Sequence, residues 1–419
     1  MTPVPDIARA TALAHAMLPP RSPVVALVSG GADSMALLHL LAGGHLGADL
    51  DVSVLHVDHR LRGGESDADR AFVVSESARL GVSCRAVSCD VAGYAEAERF
   101  NLEDAGRRVR YRFAEEEADA RAASLGLDPS TVRIAVAHTL DDRIETFLMR
   151  LLSGAGAGAL ASIRHVRGRV VRPLLDIPRE QVRTWLGAQP DGVWREDASN
   201  LDTSRLRARI RHEVMPVLLA VEPALRTTLS RTMAVLAEED ELLAKTASAL
   251  ARDLAAERRR PGEVALDRAM MSTFDRAMRR RIVRAALLSA FPEASRLDSA
   301  HIESIVDGIA DDSFARDLPG GLRAFSEYGR IIVSRRGELS PGVAPSLLRI
   351  PGDVDLGGVG SIEALDAELD GLAGDPMSAV VDAGAATEFT VGPVRAGERM
   401  RPLGMEGTKK LSDLLADEK

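Results

Sequence analysis

Residues 25–41 read VALVSGGADSMALLHLL. An apolar run, Val24 to Val28, meets Ser-Gly-Gly-Ala-Asp-Ser, and a helical pattern follows. The stretch predicts a buried strand, a tight turn and a helix, which together put backbone N–H groups and a helix N-terminus at one point. Gly30 and Gly31 let the main chain approach phosphate oxygens and adopt positive φ. Ser29 and Ser34 add hydroxyl donors, and Ala32 lies between them in the same candidate binding loop. Asp33 is a carboxylate where phosphate is expected, which makes sense if Mg²⁺ bridges the two. The loop has no lysine, so it is not a Walker loop. The plain alternative is a strand–helix turn capped by Ser and Asp.

Outward from this loop, strand and helix signals alternate. Apolar runs lie at 24–28, 51–57, 82–88 and 132–137, with helical patterns near 34–42, 67–80 and 101–125. This predicts βαβ units, right-handed crossovers and a Rossmann-like parallel sheet. Ligands of such sheets bind beyond the carboxyl ends of the strands. SGGADS, HVDHRLRGG and AHTLDDRIET all fall there. Leu206, Ile210, Val214 and Leu218 recur as one helix face, and the pattern stays helical from about 221 to 310. Short alternating runs rich in glycine and proline follow. The fold class is therefore α/β: a catalytic domain over 1–215, a helical domain over 216–312 and a small C-terminal α+β domain over 313–419.

The chain has 419 residues, 46% of them hydrophobic and 27% charged, enough for two or three domains with real cores. No run of 18 apolar residues suggests a membrane span, and the first twenty residues lack a secretory layout. The two cysteines, Cys84 and Cys89, argue against a disulfide scaffold and read as core packing. A cytoplasmic protein is expected. The net charge is −9, yet local patches decide nucleic-acid binding. Only four lysines occur, so the cations are nearly all arginine, which suits bidentate phosphate contacts but equally follows from a genome composition bias in an Ala-rich chain.

SGGADS resembles the pyrophosphate-binding loop of the N-type ATP pyrophosphatases, the PP-loop superfamily. That resemblance implies ATP cleavage between the α and β phosphates, with Ser29–Ser34 holding the leaving pyrophosphate and Asp33 holding Mg²⁺. Four further stretches, in matching order and spacing, are similar to the tRNA(Ile)-lysidine synthetase family. They are HVDHRLRGGESDAD (56–69), NLEDAGRRVRY (101–111), AHTLDDRIETFLMRLLSGAGAGAL (137–160), and RPLLDIPREQV with REDASNLDTSRLRARIRHEVMPVL (172–218). RPLGMEGTKKLSDLL (401–415) is a weaker match. The family commonly has a histidine where Thr139 stands and glutamine where Arg143 stands, and its last domain usually continues past the LLADEK at which this chain stops.

The residues themselves carry a physical reading. Thr139 is placed to N-cap a helix, with Asp142 in a capping-box relation. Ile144, Phe147, Leu148 and Leu151 form that helix's buried face. Asp141 and Glu145 are i, i+4 neighbours and could seat an ammonium ion or Mg²⁺, or could be a solvated acidic face. Glu103 and Arg107 could form a surface ion pair. The resemblance instead implies Arg107 at the α-phosphate, with Asp33 and Glu145 as the other catalytic residues and Arg110 toward substrate. Asp58, His59 and Arg62 follow a strand and are expected to line the nucleotide or substrate mouth; His138, at a strand end, either touches nucleotide or caps the strand. Asp141, Asp142 and Glu145 are substrate candidates, as are Arg207 and Arg211, which either grip tRNA or ATP phosphates or form a solvated basic face. His56 reads as structural, and Trp185 and Trp194 as packing residues. The clusters at 258–260 and 276–284 are either solvated surface or tRNA contacts.

The implied reaction joins free L-lysine to the wobble cytidine of a CAU-anticodon tRNA(Ile) through an adenylated cytidine, releasing AMP and pyrophosphate. ATP and Mg²⁺ are the implied cofactors. The alternatives are a PP-loop tRNA thiolase and a non-catalytic, ATP-sensing tRNA-binding protein. A homodimer is one possible assembly.

Overall fold

The computed structural model describes residues 2–47, 49–61, 64–196, 206–255, 262–327, 329–336, 345–356, 361–366, 384, 386–392, 398–401 and 407–410. Arg62, Arg205, the cluster at 258–260 and most of 401–415 lie outside them. The chain divides into two compact units, 1–241 and 242–419.

Among the described residues the first unit holds six strands: β1 (Pro23–Leu27), β2 (Asp51–Asp58), β3 (Ser83–Ser88), β4 (Arg133–Ala135), β5 (Val166–Arg167) and β6 (Val170–Val171). Their order is β3-β2-β1-β4-β6-β5, and all pairings are parallel except the β5–β6 hairpin. β1 is buried along its whole length. Val24 and Ala26 enter one core, with Met35, Leu38 and Leu186, while Val25 and Leu27 enter another, with Ala114, Ala118 and Ile134. A strand covered on both faces reads as a continuous apolar run, which is why 24–28 does not alternate.

The helices of this unit are α1 (Val4–Ala14), α2 (Ala32–Ala42), α3 (Gly64–Arg79), α4 (Val91–Glu98), α5 (Leu102–Leu125), α6 (Leu140–Leu152), α7 (Ala157–Leu160), α8 (Arg179–Gly187), α9 (Leu206–Arg209) and α10 (Met215–Val221). α11 (Leu225–Ala255) follows. The chain passes from β1 to β2 and β3 on one side, then returns to β4 on the other. The crevice between β1 and β4 is therefore the topological switch point, where a ligand site belongs.

Two helix faces differ from the sequence expectation. Leu206 and Val214 are exposed, and Ile210 is buried instead with Met215. Residues Ile210–Val214 form a π-type turn. The wider turn inserts one residue, so the apolar stripe advances by five positions rather than four. Leu151 is also exposed, near the end of α6, while Ile144 and Phe147 are buried.

Thr11 donates its hydroxyl to Asp176 Oδ2 at 2.9 Å, and His165 Nε2 lies 2.8 Å from Asp176 Oδ1. This network ties α1 to the sheet. His15 stacks on His165 at 3.9 Å with planes 13° apart. Parallel imidazoles direct their in-plane lone pairs side by side, not at one point, so this group is a packing device and not a metal cage.

The second unit contains β7 (Glu263–Asp267), α12 (Arg268–Ser272), α13 (Arg276–Ala290), α14 (Ser299–Gly308), β8 (Ala315–Leu318), β9 (Leu322–Glu327) and β10 (Arg330–Arg335). β7 interrupts the helical pattern read over 221–310. It pairs antiparallel with β10, in a sheet ordered β7-β10-β9-β8. One core joins this sheet to α13 and α14 through Ile282, Phe291, Ile305, Leu322 and Ile331. Three small antiparallel pairs follow: β11 (Ser346–Arg349) with β14 (Glu388–Val391), β12 (Gly352–Asp355) with β13 (Ser361–Ala364), and β15 (Arg399–Met400) with β16 (Lys409–Lys410).

Candidate active site

The glycine loop follows β1 as the sequence predicts. Gly30 has φ +93°, a conformation that a side chain disfavours. Gly31 is the N-cap of α2 and no side chain caps it. The first amides of α2 therefore face the crevice without a side-chain acceptor, an anion site by geometry. Ser34 organises the turn: its hydroxyl accepts from the Ser29 amide at 3.2 Å and donates to the Gly31 carbonyl at 2.9 Å. His56, 4% exposed, sets its Nδ1 2.9 Å from the Val28 carbonyl, the structural role expected of it.

Four carboxylates converge on a cleft of about 910 Å³ lined by Asp141, Glu145, Arg179, Arg211, Leu219 and Arg226 among others, with Asp33 and Asp142 tied to it through Arg179. α6 delivers three of the carboxylates. Asp142 accepts from the Thr139 amide at 2.9 Å and from its hydroxyl at 3.0 Å, the capping-box relation. Arg179, at the first turn of α8, spans the group. Its Nε donates to Asp33 Oδ2 at 3.0 Å, its Nη2 to Asp142 Oδ1 at 2.6 Å and its Nη1 to Glu145 Oε1 at 3.2 Å. Its amide donates to Asp141 Oδ2 at 2.7 Å. Arg211 grips Glu145 with two bonds, of 2.7 and 3.0 Å. Arg207 donates to Thr146 Oγ1 at 3.1 Å and lies 3.5 Å from Glu103. Arg226 pairs with Asp141 at 3.1 Å.

Sequence reasoning brought Arg207 and Arg211 here. Arg179 lies inside a family-like motif with no role assigned to it by sequence, and Arg226 lies outside all of those motifs. The usable signal for Arg179 was its place one residue after Pro178, at a helix start. Glu103 reaches Arg207 rather than Arg107. Arg107 is exposed on α5, 5.5 Å over the Tyr111 ring, and Arg110 is exposed one turn on.

The electrostatics follow from the pairing. Burial pushes the Asp33 carboxyl up, and Arg179 offsets this only in part. Asp33 Oδ1 is buried and has no hydrogen-bond partner among the described residues. Asp142 is also buried, but Arg179, His138 and the Thr139 amide hold it at about 2. Burial lowers His138 to about 3, and Arg172 adds to this, donating from Nε to His138 Nδ1 at 3.0 Å. His138 is therefore neutral, with its remaining proton on Nε2. Burial lowers His59 to about 4, and Arg110 adds to this. His59 packs against α5 beside Gly106. Asp58 structures its own turn, accepting from the Arg60 amide at 2.8 Å and the Ser88 hydroxyl at 3.1 Å.

An orphaned, buried carboxylate oxygen beside a glycine loop fits a divalent cation that also needs phosphate oxygens. Both cysteines are free and half-buried, and burial pushes the Cys84 thiol up, away from thiolate chemistry. Trp185 and Trp194 pack against the first core. In the 276–284 cluster, Arg276 pairs with Glu303 and Asp307, Arg280 pairs with Glu303, and Arg279 donates to two carbonyls.

A family model described as a PP-loop domain matches residues 6–218. The chain is similar to a tRNA(Ile)-lysidine synthase of Geobacter sulfurreducens, 33% identical over 417 residues, covering 97% of this chain and 85% of the relative. A second relative of that description, from Symbiobacterium thermophilum, is 35% identical over 449 residues, covering 100% of this chain and 89% of its own. Among solved structures, a U34-tRNA thiolase from Methanococcus maripaludis aligns with TM-score 0.46 and 19% identity, covering 56% of this chain and 78% of that one.

Proposed function

Because the chain belongs to the PP-loop family, among its tRNA(Ile)-lysidine synthases, we propose that the crevice at Asp33, Asp142 and Glu145 couples ATP cleavage to lysine transfer. The protein is an enzyme that uses ATP to form lysidine on tRNA(Ile).

In the first step the carbonyl oxygen of the wobble cytidine attacks the α-phosphorus. A P–O bond forms there, the bond to the β-phosphate breaks, and pyrophosphate leaves. The amides and hydroxyls from Ser29 to Ser34 hold that leaving group. Mg²⁺ bound at Asp33 would supply charge neutralisation on the phosphates. Arg107 meets the charge that develops at the α-phosphate. In the second step the ε-amine of free lysine attacks the activated ring carbon, the C–O bond breaks and AMP leaves. Asp141, Asp142 and Glu145 orient the lysine, which enters as an ammonium and competes with Arg179 and Arg211 for them. The amine gives up its proton to a carboxylate or phosphate before it attacks. His138 and His59, both neutral, act as hydrogen-bonding groups toward nucleotide and not as general acids.

The observation that carries this reading is the unpartnered Asp33 Oδ1, beside the glycine loop and joined through Arg179 to Asp142 and Glu145. The test combines protein, ATP, Mg²⁺, radiolabelled lysine and a CAU-anticodon tRNA(Ile) transcript, counting acid-precipitable label and AMP. Lysine in the tRNA with matching AMP is expected. AMP that depends on tRNA, without label, assigns the cleft to another nucleophile.

A further inference from the structure

We propose that the surface made by α4 and the first half of α5 is a track for the tRNA phosphate backbone, anchored by Arg108 and Arg112. It rests on the reading of the protein as a tRNA-modifying enzyme, and adds where the RNA lies beyond the cleft.

α5 carries exposed arginines at 107, 108, 110 and 112. At about 100° per residue they form a broad band over roughly 200° of the helix surface, with Arg110 and Arg107 at one edge and Arg108 and Arg112 at the other. One edge of the band belongs to the active site: the charges of Arg107 and Arg110 act on His138, and Glu103, one turn earlier, reaches Arg207. The other edge leads away from the cleft onto aromatic rings. The Arg108 guanidinium lies 4.2 Å over Phe100, and Arg112 lies 5.0 Å over Phe113 and 5.9 Å over Tyr94.

A guanidinium lying on a ring uses its face and keeps its N–H edge for bidentate phosphate contacts. Stacking also fixes the side chain beforehand, so less rotamer freedom is lost on binding. Arg108 and Arg112 are like charges one turn apart, an arrangement that weakens a helix by itself. Several arginines elsewhere are paired with carboxylates: Arg85 with Glu117, Arg169 with Glu115 and Asp119, Arg276 with Glu303 and Asp307. Glu115, Glu117 and Asp119, in the second half of α5, are taken up by these pairs. Among the described residues, Arg107, Arg108 and Arg110 have no carboxylate within ion-pair distance, and Arg112 has Glu116 at 3.7 Å. A net charge of −9 gives the chain no general attraction for RNA, so a local band has to supply it.

The test measures tRNA affinity across a salt series for the full chain, for Arg108→Ala/Arg112→Ala, for Arg108→Gln alone and for Arg9→Ala, an exposed arginine on α1. The double variant is expected to bind about tenfold more weakly. Its slope of log K against log salt should be shallower by about 0.9 per lost phosphate contact. Arg108→Gln should show a smaller shift in the same direction, with Arg9→Ala and ATP affinity unchanged. A double variant that keeps the parent affinity and slope overturns the track. Lysine incorporation by the parent chain separates the two readings. If the parent modifies the tRNA and the double variant does so at the same KM for tRNA, the track alone is wrong. If the parent makes no lysidine, the functional reading has failed.

Discussion

Arg179 is the residue on which the site turns. One guanidinium satisfies Asp33, Asp142 and Glu145, and its amide satisfies Asp141. Without it the four carboxylates would repel across a few ångströms. Asp33 is the member left least compensated, with one oxygen unpartnered. Asp33→Asn is expected to reduce AMP formation by about 100-fold or more, the scale of losing a group that acts on transition-state charge. Its unfolding midpoint should stay close to the parent's, because Arg179 keeps its two other carboxylates. Normal turnover by the folded variant would remove Asp33 from the mechanism. Glu145 differs, being 2% exposed and gripped by Arg211 with two bonds. Glu145→Gln leaves Arg179 and Arg211 facing an amide, at a cost on the order of 3 kcal/mol. Denaturant unfolding checks this; an unchanged midpoint would mean that the pairs contribute nothing net.

At the scale of elements, the glycine loop and α2 work as one unit. Gly30 combines φ +93° with close packing, since a Cβ there would lie 3.3 Å from Val73 Cγ2 on α3. Gly30→Ala therefore strains the turn and pushes on α3 together. ATP affinity should fall by at least tenfold, with a stability loss of about 1–3 kcal/mol. Isothermal titration and thermal unfolding read the two effects, and an alanine variant that binds ATP normally would show that positive φ is not required. α6 illustrates how one helix serves packing and chemistry. Its Ile144 and Phe147 fill a core while Asp141 and Glu145, one turn apart on one face, line the cleft.

Across the whole molecule, buried ionisable groups set the response to acid. His59 and His138 sit at about 4 and about 3, against the usual 6.5. Between those values and 6.5 the unfolded chain binds more protons than the native one, so stability falls as pH drops through that window. Asp142, held at about 2, adds a further loss as pH falls below the carboxylate's usual value. Asp33, pushed up, acts in the opposite sense above its own usual value. Thermal unfolding from pH 7 to 4.5 should show a falling midpoint, and His138→Gln should flatten the fall. A parent midpoint constant over that range would contradict the assignment. The pH–rate profile should likewise lack a histidine inflection near 6.5.

The sequence by itself determined the strand–loop–helix at Val24–Ala42, the parallel sheet and the three stretches at its carboxyl edge. These rest on local rules: a double-sided strand reads as an apolar run, a glycine pair marks the turn, and Thr139 with Asp142 marks a helix start. It also placed Asp141, Glu145, Arg207 and Arg211 on usable faces. Only the tertiary structure decided what those charges meet. Arg179 is 146 positions from Asp33 in the chain, and Arg226 is 85 from Asp141, so no periodicity links them. The same holds for Glu103, which a local rule pairs with Arg107 and the fold pairs with Arg207. The π-type turn at Ile210–Val214 hid the inward face of its helix, since four-residue spacing assumes a regular turn. β7 went unread because a strand's partners, here β10, lie far along the chain. Chain-local chemistry fixes which elements form, whereas ion pairing depends on distances in space that only packing sets.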